Sequence, residues 1–251
     1  METKRKTILI TGASSGLGLG MAKEFARRGH DLALCARRIE RLENLKQDLL
    51  AINSSIRVEI ASLDVNDHDA VFAVFKGFKQ KFGALDRVII NAGMGKGASL
   101  GTGYFDANLQ TAMTNFVAAL AQAEAAMEIF RAQNFGHLVT ISSVSAVRGF
   151  RRALNVYSAT KAGLTTLTEG LRVDVQNTPI KVSCIHPGFI RTELNEKVKK
   201  VPFIVDLETG CQALVKAIEK EKAVAYAPTW PWAVMQRVLR LLPDRMIAQF
   251  S

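Results

Sequence analysis

A chain of 251 residues, 48% hydrophobic and 22% charged, has ample material for one large α/β core and is not a disordered polymer. Its formal net charge of +10 could suit an anionic partner, but the basic residues are spread along the chain with no basic–aromatic module, so nucleic acid is not an expected partner. The three cysteines, Cys35, Cys184 and Cys211, have neither CxxC nor metal-ligand spacing. No metal is expected, and a reducing cytoplasm fits. The charged start "METKRKTILITG" runs directly into a strand pattern without a signal peptide, and no apolar run is long enough to span a bilayer.

In chain order, "TILIT" (7–11), "DLALCA" (31–36), "RVEIASLDV" (57–65), "RVIINAG" (87–93), "HLVTISS" (137–143) and "KVSCIHPG" (181–188) read as strands. Their nearly continuous hydrophobicity suits a parallel sheet covered on both faces. Helical patterns fall near 16–28, 39–52, 67–82, 106–132, 153–176 and 207–221, and "AVAYA" (223–227) adds a short strand. This alternation implies right-handed βαβ units in a doubly wound parallel α/β sheet of about seven strands, a Rossmann fold. Nothing divides the chain, so residues 1–251 are expected to form a single domain.

The first strand enters "TGASSGLG" (11–18), where Gly12, Gly16 and Gly18 open a helix. Such glycines permit a tight turn and close approach of backbone to a pyrophosphate, and the helix N-terminus offers unpaired N–H groups. An acidic residue ending the second strand would bind a ribose 2′-hydroxyl. Here Arg37 and Arg38 stand there instead, suited to a 2′-phosphate, so NADP(H) is the expected cofactor.

Further along, "NAG" (91–93) closes the fourth strand, Asn115 lies in "MTNFVAAL", Ser143 closes the fifth strand, and Tyr157 precedes Lys161 by one helical turn. A phenol titrates near ~10, and a neighbouring cation lowers that value. Taken alone, the Tyr–Lys spacing describes a core Tyr beside an unrelated surface Lys more readily than a tuned proton donor. Ser143 is preferred over Ser145, and over Ser142, which would point to the other side of the strand end.

Together, Gly12-x-x-x-Gly16-x-Gly18, Asn91-Ala92-Gly93, Asn115, Ser143, Tyr157, Lys161 and Pro187-Gly188 resemble the compact branch of the short-chain dehydrogenases/reductases over residues 7 to about 195. Tyr157 lies fourteen positions after Ser143, one more than the family pattern leads one to expect. The resemblance implies an oxidoreductase that interconverts a carbonyl and an alcohol with Tyr157 as acid or base. It implies that Lys161 lowers the phenol's pKa and binds the nicotinamide ribose, that Ser143 binds the substrate oxygen, and that Asn115 holds a proton-relaying water. By the same resemblance Ser14 and Leu17 flank the glycine turn, Asp64 and Val65 lie by the adenine, and Ile190 and Thr192 meet the nicotinamide carboxamide. A homodimer or homotetramer through the Asn115 and Tyr157 helices is also implied.

The segment 188–206 is expected to form a substrate lid. Arg148, Arg151 and Arg152 are open between contacts to an acidic substrate and contacts to solvent or a subunit. Phe150, Phe189 and Phe203 are open between pocket and core. The amphipathic tail 229–251, broken at Pro243, reads as packing on this chain's core or a partner subunit in preference to a membrane contact. The reading from another functional class is a noncatalytic NADP(H)-binding sensor or scaffold, which would have no need of Ser143.

Overall fold

A computed structural model describes residues 5–193 and 202–250. Seven parallel strands form one sheet in the order β3-β2-β1-β4-β5-β6-β7: β1 Thr7–Thr11, β2 Asp31–Ala36, β3 Val58–Ser62, β4 Arg87–Ile90, β5 Gly136–Ile141, β6 Ile180–Pro187 and β7 Val224–Ala227. Side chains alternate across a strand, so Ile8 and Ile10 of β1 face one core while Leu9 faces another. This is why the strands read as unbroken apolar runs. Helices α1 (Gly16–Arg27), α2 (Ile39–Ile52) and α7 (Leu207–Glu219) supply Phe25, Leu45 and Leu214 to the first core. Helices α3 (His68–Phe82), α5 (Ala118–Gln133) and α6 (Leu154–Asp174) supply Phe75, Phe130 and Leu164 to the second. The strand order reverses between β1 and β4, which places the ligand crevice of such a sheet at their carboxyl ends.

The structure departs from the expected boundaries where side chains capture the backbone. Strand β3 ends at Ser62, because the Asp64 carboxylate accepts from the Asn66 backbone N–H at 3.0 Å and turns the chain. Strand β4 ends at Ile90. There the backbone N–H groups of Asn91 and Ala92 both donate to the side-chain Oγ1 of Thr11 in the neighbouring β1, at 3.1 Å each, instead of to a backbone carbonyl. The single helix expected over 106–132 is α4 (Phe105–Ala112), a π-helical turn (Met113–Val117) and α5. The tail forms α8 (Thr229–Leu241) and α9 (Asp244–Phe250), which part at Pro243 as expected. Among the described residues no helix is long and apolar enough to cross a membrane.

Candidate active site

The glycine turn is built for close approach. Gly12 and Gly16 sit at φ 65° and 53°, where a side chain would be strained. A Cβ on Gly12 would also stand 2.9 Å from the Ala92 Cα, and one on Gly18 would overlap the Gly12 carbonyl. Ser15 N-caps α1 without spending its side chain on a capping bond, so the first-turn N–H groups are left to a ligand. Ser14 is buried and Leu17 packs against the first core. Arg38 reaches back over this turn, its Nη2 donating to Ser15 Oγ at 3.0 Å and Ser14 Oγ at 3.3 Å. Arg37 is exposed, and its backbone carbonyl accepts from Ser62 Oγ at 3.4 Å. Of the two arginines, only Arg38 is held against the glycine turn.

At the end of β4, Asn91 Nδ2 donates to the Thr11 carbonyl at 2.9 Å, locking the two central strand ends together. Gly93 leaves room for its neighbours: a Cβ there would lie 3.2 Å from Asn115 Oδ1 and 3.5 Å from Lys161 Nζ. Asn115 is buried and sits in the π-turn, a distortion that often marks functional sites. Its side-chain amide bonds the Met94 backbone twice, accepting from N–H and donating to C=O at 2.8 Å each. It also donates to Thr160 Oγ1 at 3.4 Å. Asp64 is exposed and Val65 buried just beyond β3.

Ser142 and Ser143 diverge as the pleat requires. Ser142 Oγ is buried against α6, bonding the Lys161 carbonyl at 3.0 Å and Thr165 Oγ1 at 2.8 Å. Ser143 faces Tyr157, and its side chain favours the phenolate. Lys161 is buried, donates from Nζ to the Ile141 carbonyl at 2.8 Å, and lies 5.9 Å from the Tyr157 ring centroid. Burial lowers the ammonium's pKa to about 8. The phenol corrects a simple expectation: its pKa stands above the ordinary value, because burial outweighs the pull of Ser143. Tyr157 is therefore a protonated acid at neutral pH, not a phenol already depressed by Lys161.

Pro187 ends β6, and the Gly188 N–H bonds the Ala227 carbonyl at 2.9 Å. The Ile190 side chain is buried and fills the space a Cβ on Gly210 would need, so only its backbone can meet a ligand. Thr192 lies beside Gly16, 3.6 Å from where a Cβ would stand. Of the expected lid, residues 194–201 lie outside the described residues.

Several contributors escaped the sequence reading. Ser145 donates to Ser143 Oγ from both its backbone N–H, at 3.2 Å, and its hydroxyl, at 2.9 Å. The "SSVS" run was the available signal. His186 Nδ1 donates to the Ser143 carbonyl at 2.9 Å, while its ring stacks on Tyr226 with centroids 5.0 Å apart. No local spacing announces that contact. Trp232 of the tail is buried and leaves no space for a Cβ on Gly188. Its ring meets Phe189 and Phe203 edge-on at 5.3 and 6.1 Å between centroids, so those two phenylalanines pack against the tail. Arg148 is likewise structural: it donates to the Leu239 carbonyl at 2.8 Å, to the Leu242 carbonyl, and to Asp244 Oδ1 at 2.6 Å.

Residues 6–202 match the family described as short chain dehydrogenase. An uncharacterised oxidoreductase of Mycobacterium tuberculosis (strain ATCC 25618 / H37Rv) is 48% identical over 247 residues, which span 98% of each chain. A farnesol dehydrogenase of Aedes aegypti is 30% identical over 95% of this chain and 96% of its own. A short-chain dehydrogenase from Sphingobium yanoikuyae, solved in complex with NADPH, superposes with a TM-score of 0.81 at 28% identity, over 93% of this chain and 91% of that one. The chain belongs to the short-chain dehydrogenase family and is an oxidoreductase with that family's nucleotide-binding Rossmann fold.

Proposed function

We propose that this protein is an NADP(H)-dependent oxidoreductase that interconverts a carbonyl and an alcohol, with Tyr157 as the acid or base. The observation that carries this reading is the meeting of the Tyr157 phenol, the Ser143 side chain and the Lys161 ammonium at the carboxyl end of β5. A dinucleotide fits the crevice beside it, because the glycine cradle admits no Cβ at Gly18 and the first turn of α1 offers uncapped N–H groups. Arg38 is the residue to meet a 2′-phosphate. The NADPH bound by the Sphingobium relative and the alcohol chemistry in the name of the Aedes relative support the same reading.

Once bound, the cofactor supplies or accepts hydride. The chain's own residues manage the proton and the developing charge. Ser143 Oγ accepts two hydrogen bonds from Ser145, which turns its own proton away from Ser145 and toward the substrate oxygen. Tyr157, protonated at neutral pH, donates to that oxygen in the reductive direction. The Lys161 charge then stabilises the phenolate left behind. Asn115, bonded to both sides of Met94, holds the loop after β4 against Lys161 and offers a place for a relaying water. Exposed Leu109, Met113 and Leu120 on the α4–α5 segment, with Leu154 and Val173 on α6, support a homo-oligomer through these helices. Residues 188–193 and 202–206 flank the site as parts of a substrate lid.

The test is turnover on a panel of ketones, aldehydes and alcohols, with NADPH, NADH and their oxidised forms. NADPH-linked turnover of at least one carbonyl is the expected result. Tight NADPH binding with no turnover across the panel would favour the sensor reading.

A further inference from the structure

The β5–β6 ladder runs as far as Ile141 opposite Ile185, and the Ser142 N–H adds one more bond, to the Ile185 carbonyl at 2.8 Å. Pro187 has no N–H to donate the next rung. A side chain carries the pairing one residue further. Buried His186 donates from Nδ1 to the Ser143 carbonyl at 2.9 Å, and because a carbonyl only accepts, Nδ1 carries the proton. The ring is held from two other sides. It stacks on Tyr226 of β7, with centroids 5.0 Å apart and planes at 24°. Its Nε2 lies 3.5 Å from Cys184 Sγ, placed to accept from the thiol. An imidazole costs more to bury than Leu or Val. What this one gains is a grip on the residue whose hydroxyl serves the proposed site.

We infer that His186 is a positioning residue for the proposed reaction, holding the Ser143 main chain so that Ser143 Oγ is presented to the substrate oxygen. This role rests on the function proposed for Ser143. The Ser142 N–H and the Ser143 carbonyl are both tied to β6, one on each side of the Ser143 Cα, so the direction of its Cα–Cβ bond is set. Ser145 then fixes the hydroxyl, donating to Ser143 Oγ at 3.2 and 2.9 Å. The imidazole bonds the backbone of Ser143 and not its hydroxyl, so it acts through Ser143. Such placement matters, because a misplacement of about 1 Å costs up to about 10²-fold in rate. The fold depends on the imidazole less: the Ser143 carbonyl also accepts from the Ala146 N–H at 3.1 Å and stays satisfied without it.

The test is a double-mutant cycle on carbonyl reduction at saturating NADPH, combining His186→Leu with Ser143→Ala. Alone, His186→Leu should lower kcat by about 10- to 100-fold and leave the KM for NADPH within about twofold of the parent. Ser143→Ala should lower kcat by about 10²–10³. In the Ser143→Ala background His186→Leu should cost less than about threefold, because the group it positions is gone. His186→Asn, whose amide donates from near the Nδ1 position, should recover most of the rate. His186→Gln, whose amide reaches toward the Nε2 position and away from the Ser143 carbonyl, should not. It also carries the cycle if His186→Leu melts well below the parent by circular dichroism. Three results would each overturn the positioning role while leaving the reaction intact: parent kcat in both His186→Leu and His186→Gln, the same fold-loss with and without the Ser143 hydroxyl, or no more rate in His186→Asn than in His186→Gln. A parent chain without carbonyl turnover would instead remove the reaction, and the positioning role with it.

Discussion

Cofactor choice is most exposed at Arg38. Its guanidinium Nη2 lies 3.0 Å from Ser15 Oγ and 3.3 Å from Ser14 Oγ, directly over the glycine turn, and β2 ends with no carboxylate beside it. Arg38→Ala removes this cation while leaving Ser14, Ser15 and the glycine backbone in place. The side chain is exposed, so the fold should survive. A charge-assisted hydrogen bond contributes about 1.5–3 kcal/mol, which converts to roughly 10- to 150-fold in affinity. Fluorescence titration should therefore show NADPH affinity falling by that factor, with NADH affinity changed less than about threefold. The NADPH loss should also shrink as salt rises, since an exposed ionic contact is screened. Equal loss of both cofactors, or loss of neither, would show that Arg38 does not select the 2′-phosphate; in the latter case the neighbouring Arg37 would be the residue to examine.

Three further outcomes follow from the packing and the titrating groups. Gly18→Ala forces a Cβ into the Gly12 carbonyl and should lower stability by about 1–3 kcal/mol, read as a drop in Tm together with weakened NADPH binding. Glu221 bridges Arg5 and the buried Arg87, whose own pKa burial lowers. Glu221→Gln should cost about 2–3 kcal/mol in a urea melt at pH 7, below the full value for a buried pair because the carboxylate is partly exposed. Burial raises the Glu221 carboxyl pKa, but Arg5 and Arg87 outweigh it and hold the value below the ordinary one. The stabilisation is thus present above the usual carboxylate range and is lost as pH falls through the depressed value, so the variant's stability should depend less on pH in acid. With Lys161 titrating at about 8, the rate of carbonyl reduction should decline as pH rises through that value. A flat pH–rate profile between pH 7 and 9 would contradict its charge requirement.

What the sequence made legible is what depends on local spacing. Strand–helix alternation, the glycine turn and the Tyr157–Lys161 pair are all set by neighbours within a turn or two. The distinction between Ser142 and Ser143 was legible too, because pleat alternation alone sends them to opposite sides. Contacts that close over long sequence separations were not. His186 on the Ser143 carbonyl and Trp232 on Gly188 join residues that only the sheet order and the docking of the tail bring together. The π-turn at Asn115 was hidden because its residues fit a regular helical pattern. The phenol's upward shift was hidden because burial, which sequence does not give, outweighs the charge effects that spacing suggests. Arg148, open between substrate and structural contacts in the sequence, is held by the Leu239 and Leu242 carbonyls, which no spacing reveals.

Isotope transfer measures hydride transfer directly. NADPH deuterated at the transferring position of the nicotinamide C4 would be incubated with the protein and a reducible carbonyl, and the alcohol analysed by mass spectrometry. One deuterium is expected on the carbinol carbon of the product, and in Tyr157→Phe a rate lower by about 10²–10⁴ with NADPH affinity retained. Alcohol formed without deuterium, or formed by Tyr157→Phe at the parent rate, would contradict hydride transfer with Tyr157 as the acid.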